Sequence, residues 1–329
     1  MLKSCFIHQQ PRMLTHPLSA SNTPLQPLTG VRLLSLALNL PGPAALMRCK
    51  AMGANCHKIE PPAPIGSDSG DPMRQYCPPA YSALHAGVGV SVADLKTTAG
   101  QQALHQALAH TDVLLTSFRP AALHKLGLGW AALQARFPLL SQVAIVGAPG
   151  ARANEAGHDL TYLAERGLVT GLDLPATLYA DMSGSLMVSE AILQAVMVQK
   201  MSPDAPGRYQ EMALSDAAGY LALPRHWGLA QPGPRSAVGG AHAGYRVYPC
   251  ADGRVAVAAL EPHFAATLCQ VAALPLEGLA SAEALNDLMF SPAAAQAMSA
   301  FFKQQSCQQL GALAAKHDLP LHCLPITAG

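Results

Sequence analysis

The segment Gly157-His158-Asp159-Leu160-Thr161-Tyr162 carries an imidazole, and a carboxylate, Asp181, follows 23 residues after His158 in Tyr179-Ala180-Asp181-Met182-Ser183-Gly184. An imidazole and a carboxylate facing one carbon make a two-base site. One group takes a proton from one face and the other returns a proton to the opposite face. Such a pair suits an acidified C–H bond, for example one α to a carbonyl. The pKa of that proton lies far above that of either base, so the enolate oxygen must be stabilised as well. Unpaired N–H groups at the positive end of a helix can do this. The pattern predicts that Asp181 opens a helix, with Met182 and Ser183 as its first donors. It predicts that His158 opens another, where the dipole lowers the pKa of an imidazole. The alternative is structural: His158 and Asp181 are helix caps, and Asp159 is a first-turn acid that complements the dipole. Glu261, followed by Pro262, likewise reads as a helix entry.

The elements that must hold these groups alternate. Val31–Leu36, Ala54–Glu60, Gly89–Leu95, Asp112–Ser117 and Ser141–Val146 read as strands. Between them, residues 41–52, 97–110, 120–126 and 130–137 read as helices, with Pro placed in first turns. A βαβ series of this kind predicts a parallel sheet and an α/β, Rossmann-like first domain. Beyond Gly157 the texture changes. Helices are expected over 159–169 and 182–200, and a strand over 209–214 feeding a helix over 215–228. Tyr245–Pro249 and Val255–Ala259 flank Ala251-Asp252-Gly253 as a hairpin. Helices at 262–273, 282–290 and 292–303 complete a smaller α+β domain. The expected division is an N-terminal extension without fixed structure over 1–26, a Rossmann-like large domain over 27–200 and a small domain over 201–329. Met13 is a candidate later start.

Composition excludes some classes. The 329 residues carry a formal net charge of +1, half are apolar and 12% are charged. No nucleic-acid surface is implied. No charge-free and proline-free apolar run is long enough for a membrane span; the nearest, Val31–Met47, is broken by Arg32, Pro41 and Pro43. Eight scattered cysteines form no C-x-x-C pair and no zinc spacing, so reduced thiols in a cytoplasm, and no metal, are expected. Gly127-Leu128-Gly129-Trp130-Ala131-Ala132 matches a dinucleotide fingerprint. It follows a helix rather than a strand and lacks a ribose-binding acid, so it is read as a helix stop and turn.

Several ordered segments resemble family III CoA-transferases (the CaiB/BaiF group), which include α-methylacyl-CoA racemase. They are Pro27–Leu34, Gly42-Pro43, Met52-Gly53-Ala54, Lys58-Ile59-Glu60-Pro61-Pro62 and Gly70-Asp71-Pro72-Met73-Arg74. Asp94-Leu95-Lys96, Asp112–Leu115, Phe118-Arg119-Pro120, Leu126-Gly127-Leu128, Gly157–Tyr162 and Ala180-Asp181 follow. Ala251-Asp252-Gly253 and Glu261-Pro262-His263-Phe264 complete the set. The resemblance covers roughly residues 27–327. It implies an interlinked homodimer, acyl-CoA substrates of fatty acid metabolism, and no cofactor beyond coenzyme A as part of the substrate. It also implies roles. Asp181 is the nucleophile of the transferases or one base of the racemases, and His158 is the racemase's other base. Asp159 orients His158, and Glu261 supports it. Arg74 and Arg119 either pair with CoA phosphates, which suit a bidentate guanidinium, or stand in solvent.

Departures accompany the resemblance. Ala86-Gly87-Val88-Gly89-Val90-Ser91 has no charge where the family carries a basic stretch, and the Gly147–Arg152 loop and the spacer before Asp181 are short. The family's C-terminal tail is not found. Three readings follow: an acyl-CoA racemase or epimerase using His158 and Asp181, a CoA-transferase forming an aspartyl-acyl anhydride, and a paralogue with the fold but little activity.

Overall fold

The structure is a computed structural model and describes residues 24–67, 69–275 and 281–326. The expected extension falls almost wholly outside the described residues. The described chain divides into two units, one up to Tyr220 and one from Leu221 onward.

The first unit is built on a six-stranded parallel sheet. Its strands are β1 (Arg32–Ser35), β2 (Asn55–Glu60), β3 (Gly89–Val92), β4 (Val113–Thr116), β5 (Ser141–Val146) and β6 (Tyr209–Ala213). Their spatial order is β3-β2-β1-β4-β5-β6, and every pairing is parallel. The central strands are apolar runs because helices cover both faces. Leu33, Val113, Leu115, Val143 and Ile145 face one layer, formed by the helices Pro41–Ala51 and Tyr179–Met201. Leu34, Leu36 and Leu114 face the other, formed by Thr98–Leu108, Pro120–Lys125 and Trp130–Arg136. The switch of face between Leu114 and Leu115 is the period-two alternation of a strand.

The expected domain boundary at residue 200 is corrected. β6 pairs with β5 from Gln142↔Tyr209 to Val146↔Ala213. The 23-residue helix Tyr179–Met201 therefore lies within the β5-to-β6 connection and cannot end a domain. The α/β architecture is otherwise the expected one.

The second unit holds β7 (Tyr245–Cys250), β8 (Gly253–Ala258) and β9 (Leu321–Pro325) in an antiparallel sheet of order β7-β8-β9. The expected hairpin turns at Ala251-Asp252. Helices Pro262–Val271, Ala282–Met289 and Pro292–Lys303 pack over Tyr248, Val255 and Val257 through Leu268, Met289, Met298 and Phe302. A further helix, Cys307–His317, and β9 were absent from the sequence reading. The helix carries a recognisable start. Ser306 accepts from the Gln309 N–H while the Gln309 side chain accepts from the Ser306 N–H. No helix among the described residues is long and apolar enough to cross a membrane.

Candidate active site

Strand order reverses between β1 and β4, because β1 leads to β2 on one side while β4 sits on the other. Crevices outside the carboxyl ends of the strands at such a point bind ligands in open α/β sheets. A pocket of about 530 Å³ lies there. Its walls are the segments that leave β1 (Leu38–Pro41), β4 (Ser117–Arg119) and β5 (Gly147), together with Tyr76, His158, Asp159, Tyr162 and Asp181. A larger cavity of about 900 Å³ opens at the amino ends of the same strands, beside Arg32, Asp112 and Ser141. It has no imidazole, and its one carboxylate, Asp112, is paired with Arg32 at 2.7 Å. The chemistry-bearing groups are in the smaller pocket.

His158 stands at the N-cap of the helix Asp159–Glu165, with extended backbone. Thr161 fixes that end. Its hydroxyl accepts from the His158 N–H at 3.0 Å and donates to the His158 carbonyl at 2.7 Å. The imidazole is exposed on the pocket wall.

Asp181 is placed differently from expectation. Its helix starts at Tyr179, so Asp181 is the third helical residue rather than the cap. The Met182 N–H already bonds to the Leu178 carbonyl at 3.0 Å and is no oxyanion donor. The Asp181 N–H, one of the orphan donors of the first turn, is taken by the Asp159 carboxylate at 3.0 Å. Asp159 is buried, and its side chain serves the helix of Asp181 rather than the ring of its neighbour His158. The family resemblance implies that Asp159 orients His158. The helix start three residues earlier than expected brings the Asp181 amide to Asp159 instead.

This arrangement sets the charge. Burial, and then the nearby charge of Asp159, push the Asp181 carboxyl up to about 7. Both causes disfavour the ionised form. The pocket wall thus carries both a carboxyl raised toward neutrality and an exposed imidazole.

Tyr162 was quoted in the motif but given no role. Its ring is buried against two glycines. A Cβ on Gly157 would lie 2.5 Å from the ring, and one on Gly147 would lie 2.2 Å from the phenol oxygen. No larger residue fits at either position without displacing the ring. Burial and the Asp181 charge raise the phenol's pKa, while Arg119 opposes them, so the hydroxyl remains a donor at neutral pH.

The opposite wall rests on a buried charge cluster that also escaped the sequence reading. Lys58 on β2 is fully buried. Its ammonium pairs with Asp71 at 2.5 Å and Glu60 at 3.0 Å and lies 3.0 Å from the His85 ring. Tyr81 donates to the same Glu60 oxygen, Oε1, at 2.8 Å, and Ser69 donates to the other, Oε2, at 2.6 Å. Asp71 in turn accepts from the Asn39 N–H at 3.2 Å. That bond holds Asn39 in the left-handed conformation, at φ 63°, on the pocket wall. Asparagine tolerates this region better than most residues. No local pattern marks it, because Lys58 and Glu60 stand among other polar residues in β2, Asn55-Cys56-His57-Lys58-Ile59-Glu60.

The expected phosphate ligands divide. Arg119 precedes the helix Pro120–Lys125 and lines the pocket. Arg74 does not line it; its guanidinium lies over the Tyr81 ring at 5.5 Å. Glu261 stands at the N-cap of the helix Pro262–Val271 in the second unit. The uncharged stretch 86–91 leads into the exposed edge strand β3.

Known proteins match this chain. CoA-transferase family III matches residues 28–325. A succinyl-CoA–D-citramalate CoA-transferase from Chloroflexus aurantiacus is 29% identical over 62% of this chain and 52% of its own length. The α-methylacyl-CoA racemase of Mus musculus is 29% identical over 77% of this chain and 67% of its own length. The chain thus spans between half and two thirds of these relatives. A crystal structure of a CaiB/BaiF family protein from Brucella suis superposes with a TM-score of 0.72 at 23% identity, over 93% of this chain and 85% of that one. The family match begins four residues before β1 and ends on the last residue of β9. It takes in every described strand and helix of both units, and the chain belongs to CoA-transferase family III.

Proposed function

We propose that the chain is an acyl-CoA racemase or epimerase that moves the α-proton of a 2-methylacyl-CoA thioester, with His158 and Asp181 as the two bases. The observation that carries this reading is the Asp181 carboxyl, held at about 7 in the same pocket as His158. A base that exchanges its proton near neutral pH suits catalysis in both directions. In one direction ionised Asp181 takes the α-proton while protonated His158 supplies the other face. In the reverse direction neutral His158 takes the proton and protonated Asp181 supplies it. The Tyr162 phenol is our choice of donor to the enolate oxygen, since the Met182 amide is already engaged. Arg119 is our choice for a CoA phosphate, and a second copy of the chain is the expected partner. A cytoplasmic setting goes with this reading.

A second reading is a CoA-transferase in which Asp181 attacks the thioester and carries the acyl group as an anhydride. The transferase relative favours it. The raised Asp181 carboxyl serves either reading, because base and nucleophile alike act ionised; the transferase stands second because it gives His158, on the same pocket, no role.

The deciding experiment is exchange of the α-proton in D₂O, comparing wild type with His158→Ala and Asp181→Ala. Exchange that both substitutions abolish is the expected result. No exchange on any 2-methylacyl-CoA overturns the racemase reading. An acyl-enzyme trapped by hydroxylamine and absent from Asp181→Ala selects the transferase. Neither signal leaves a protein with the fold but not the activity.

A further inference from the structure

The second unit brings together three cysteines that are far apart in sequence. Cys250 ends β7, Cys307 is the first residue of the helix Cys307–His317, and Cys323 lies in β9. The Cys250 and Cys307 sulfurs are 3.7 Å apart across 57 residues of chain. Asp252, in the β7–β8 turn, places Oδ1 at 3.8 Å from the Cys250 sulfur. The ligand atoms of Cys250, Asp252 and Cys307 all lie within 4.8 Å of one another. Cys323 lies on the neighbouring strand β9, opposite Val255 of β8.

We infer that Cys250, Asp252 and Cys307, with Cys323 beside them, form a binding site for a thiophilic divalent cation of the zinc class. The first argument is geometric. A tetrahedral site with Zn–S of about 2.3 Å and Zn–O of about 2.1 Å has S···S edges of about 3.8 Å and S···O edges of about 3.6 Å. The observed edges, 3.7 and 3.8 Å, match before any ion is added.

The second argument is donor chemistry. Thiolates with one carboxylate select zinc-class ions over magnesium or calcium, which take oxygen donors. Binding replaces a proton on each ligating thiol by the metal, and the protons leave to solvent, so the step balances.

The third argument is preorganisation. The segments carrying the donors are already tied together by backbone groups. The Cys307 N–H donates to Asp252 Oδ1 at 2.7 Å, the Ala251 N–H to the Gln305 carbonyl at 2.9 Å, and the Ile326 N–H to the Asp252 carbonyl at 3.1 Å. Asp252 is exposed, Cys307 and Cys323 are half-buried and Cys250 is buried, so an ion has an entry path. A redox pair accounts for less. A disulfide needs sulfurs about 2.05 Å apart and would leave the third thiol and the carboxylate without a role. Reactive cysteines also sit beside cations, whereas here the neighbouring charge is Asp252.

The sequence hid this site because its ligands come from a turn, a helix start and an edge strand, not from paired C-x-x-C knuckles.

The test is titration of the reduced, metal-free full chain with Co²⁺ alone. The expected result is one Co²⁺ per chain, with a sulfur-to-cobalt band in the near ultraviolet that Zn²⁺ displaces. Cys250→Ser and Cys307→Ser should weaken binding by more than about tenfold, the scale on which metal-site substitutions act. Asp252→Asn, which keeps all three thiols and the acceptor for Cys307, should also weaken it and covers the case in which a cysteine variant fails to fold. Cys49→Ser, in the core of the first unit, should change nothing. Absence of the sulfur band, or the same band in Asp252→Asn and Cys250→Ser, overturns the proposal. A chain lighter by two hydrogens in air, with no metal uptake when reduced, assigns the cluster to a disulfide instead.

Discussion

Asp181→Asn separates the cost of the candidate site from its chemistry. An ordinary aspartate titrates near 3.8, and Asp181 is raised to about 7 by burial and by Asp159. Between those values the folded chain keeps the proton and the unfolded chain loses it. The folded state then binds more protons, so stability falls as pH rises through this window. A shift of about three units is worth about 4 kcal/mol at roughly 1.36 kcal/mol per unit, as an upper bound. Asp181 is only half-buried, and a carboxylate in the first helical turn recovers about 0.3–1 kcal/mol from the dipole. The net cost at alkaline pH is then about 1–2 kcal/mol. Asparagine keeps the shape of the side chain and the backbone N–H that Asp159 accepts. The variant should therefore match wild type near pH 4 and exceed it by about 1–2 kcal/mol near pH 8. Urea unfolding measures this, with Trp227→Phe as background so that Trp130 reports the first unit. A stability gap that is the same at both pH values, or that favours wild type at pH 8, refutes the reasoning.

Lys58→Met should destabilise the first unit by about 3–5 kcal/mol in the same urea assay, because Asp71 and Glu60 are left buried without their cation. Gly157→Ala should cost about 1–3 kcal/mol, since its Cβ meets the Tyr162 ring. It should also lower the D₂O exchange rate at unchanged pH, and a wild-type rate would show that the ring position is unimportant.

The fold was legible because the central strands are apolar runs separated by helices with clear stops. β1, β2, β4 and β5 each lie within a segment read from sequence alone. The boundary was not legible, because Tyr209–Ala213 resembles the start of any new domain until its pairing with β5 is known. The site was legible in part. His158 and Asp181 were found by residue type and spacing, and the structure places both on one pocket. The start of the Asp181 helix is expected three residues late, since Leu178 caps it without a side-chain acceptor and leaves no signal. Buried Lys58 and the clustered cysteines were opaque for a different reason. Their meaning lies in contacts between distant segments, which no local pattern encodes.

The hydrogen bond from the Asp181 amide to Asp159 shows why the candidate site carries two acids and one imidazole. That bond ties the helix that starts after His158 to the helix that holds Asp181 at their N-terminal ends, so the two proposed bases are fixed relative to each other by a buried group. A neutral acceptor could make the same bond. Only a carboxylate also pushes the Asp181 carboxyl upward, because its negative charge opposes a second one nearby. Asp159 therefore fixes position, and adds to a basicity that burial raises first. The cost is a helix start at which two acids lie close together, and first-turn dipoles offset that repulsion only in part. A cap serving structure alone needs no such pairing. The arrangement makes sense where a carboxyl must both give and take a proton near neutral pH.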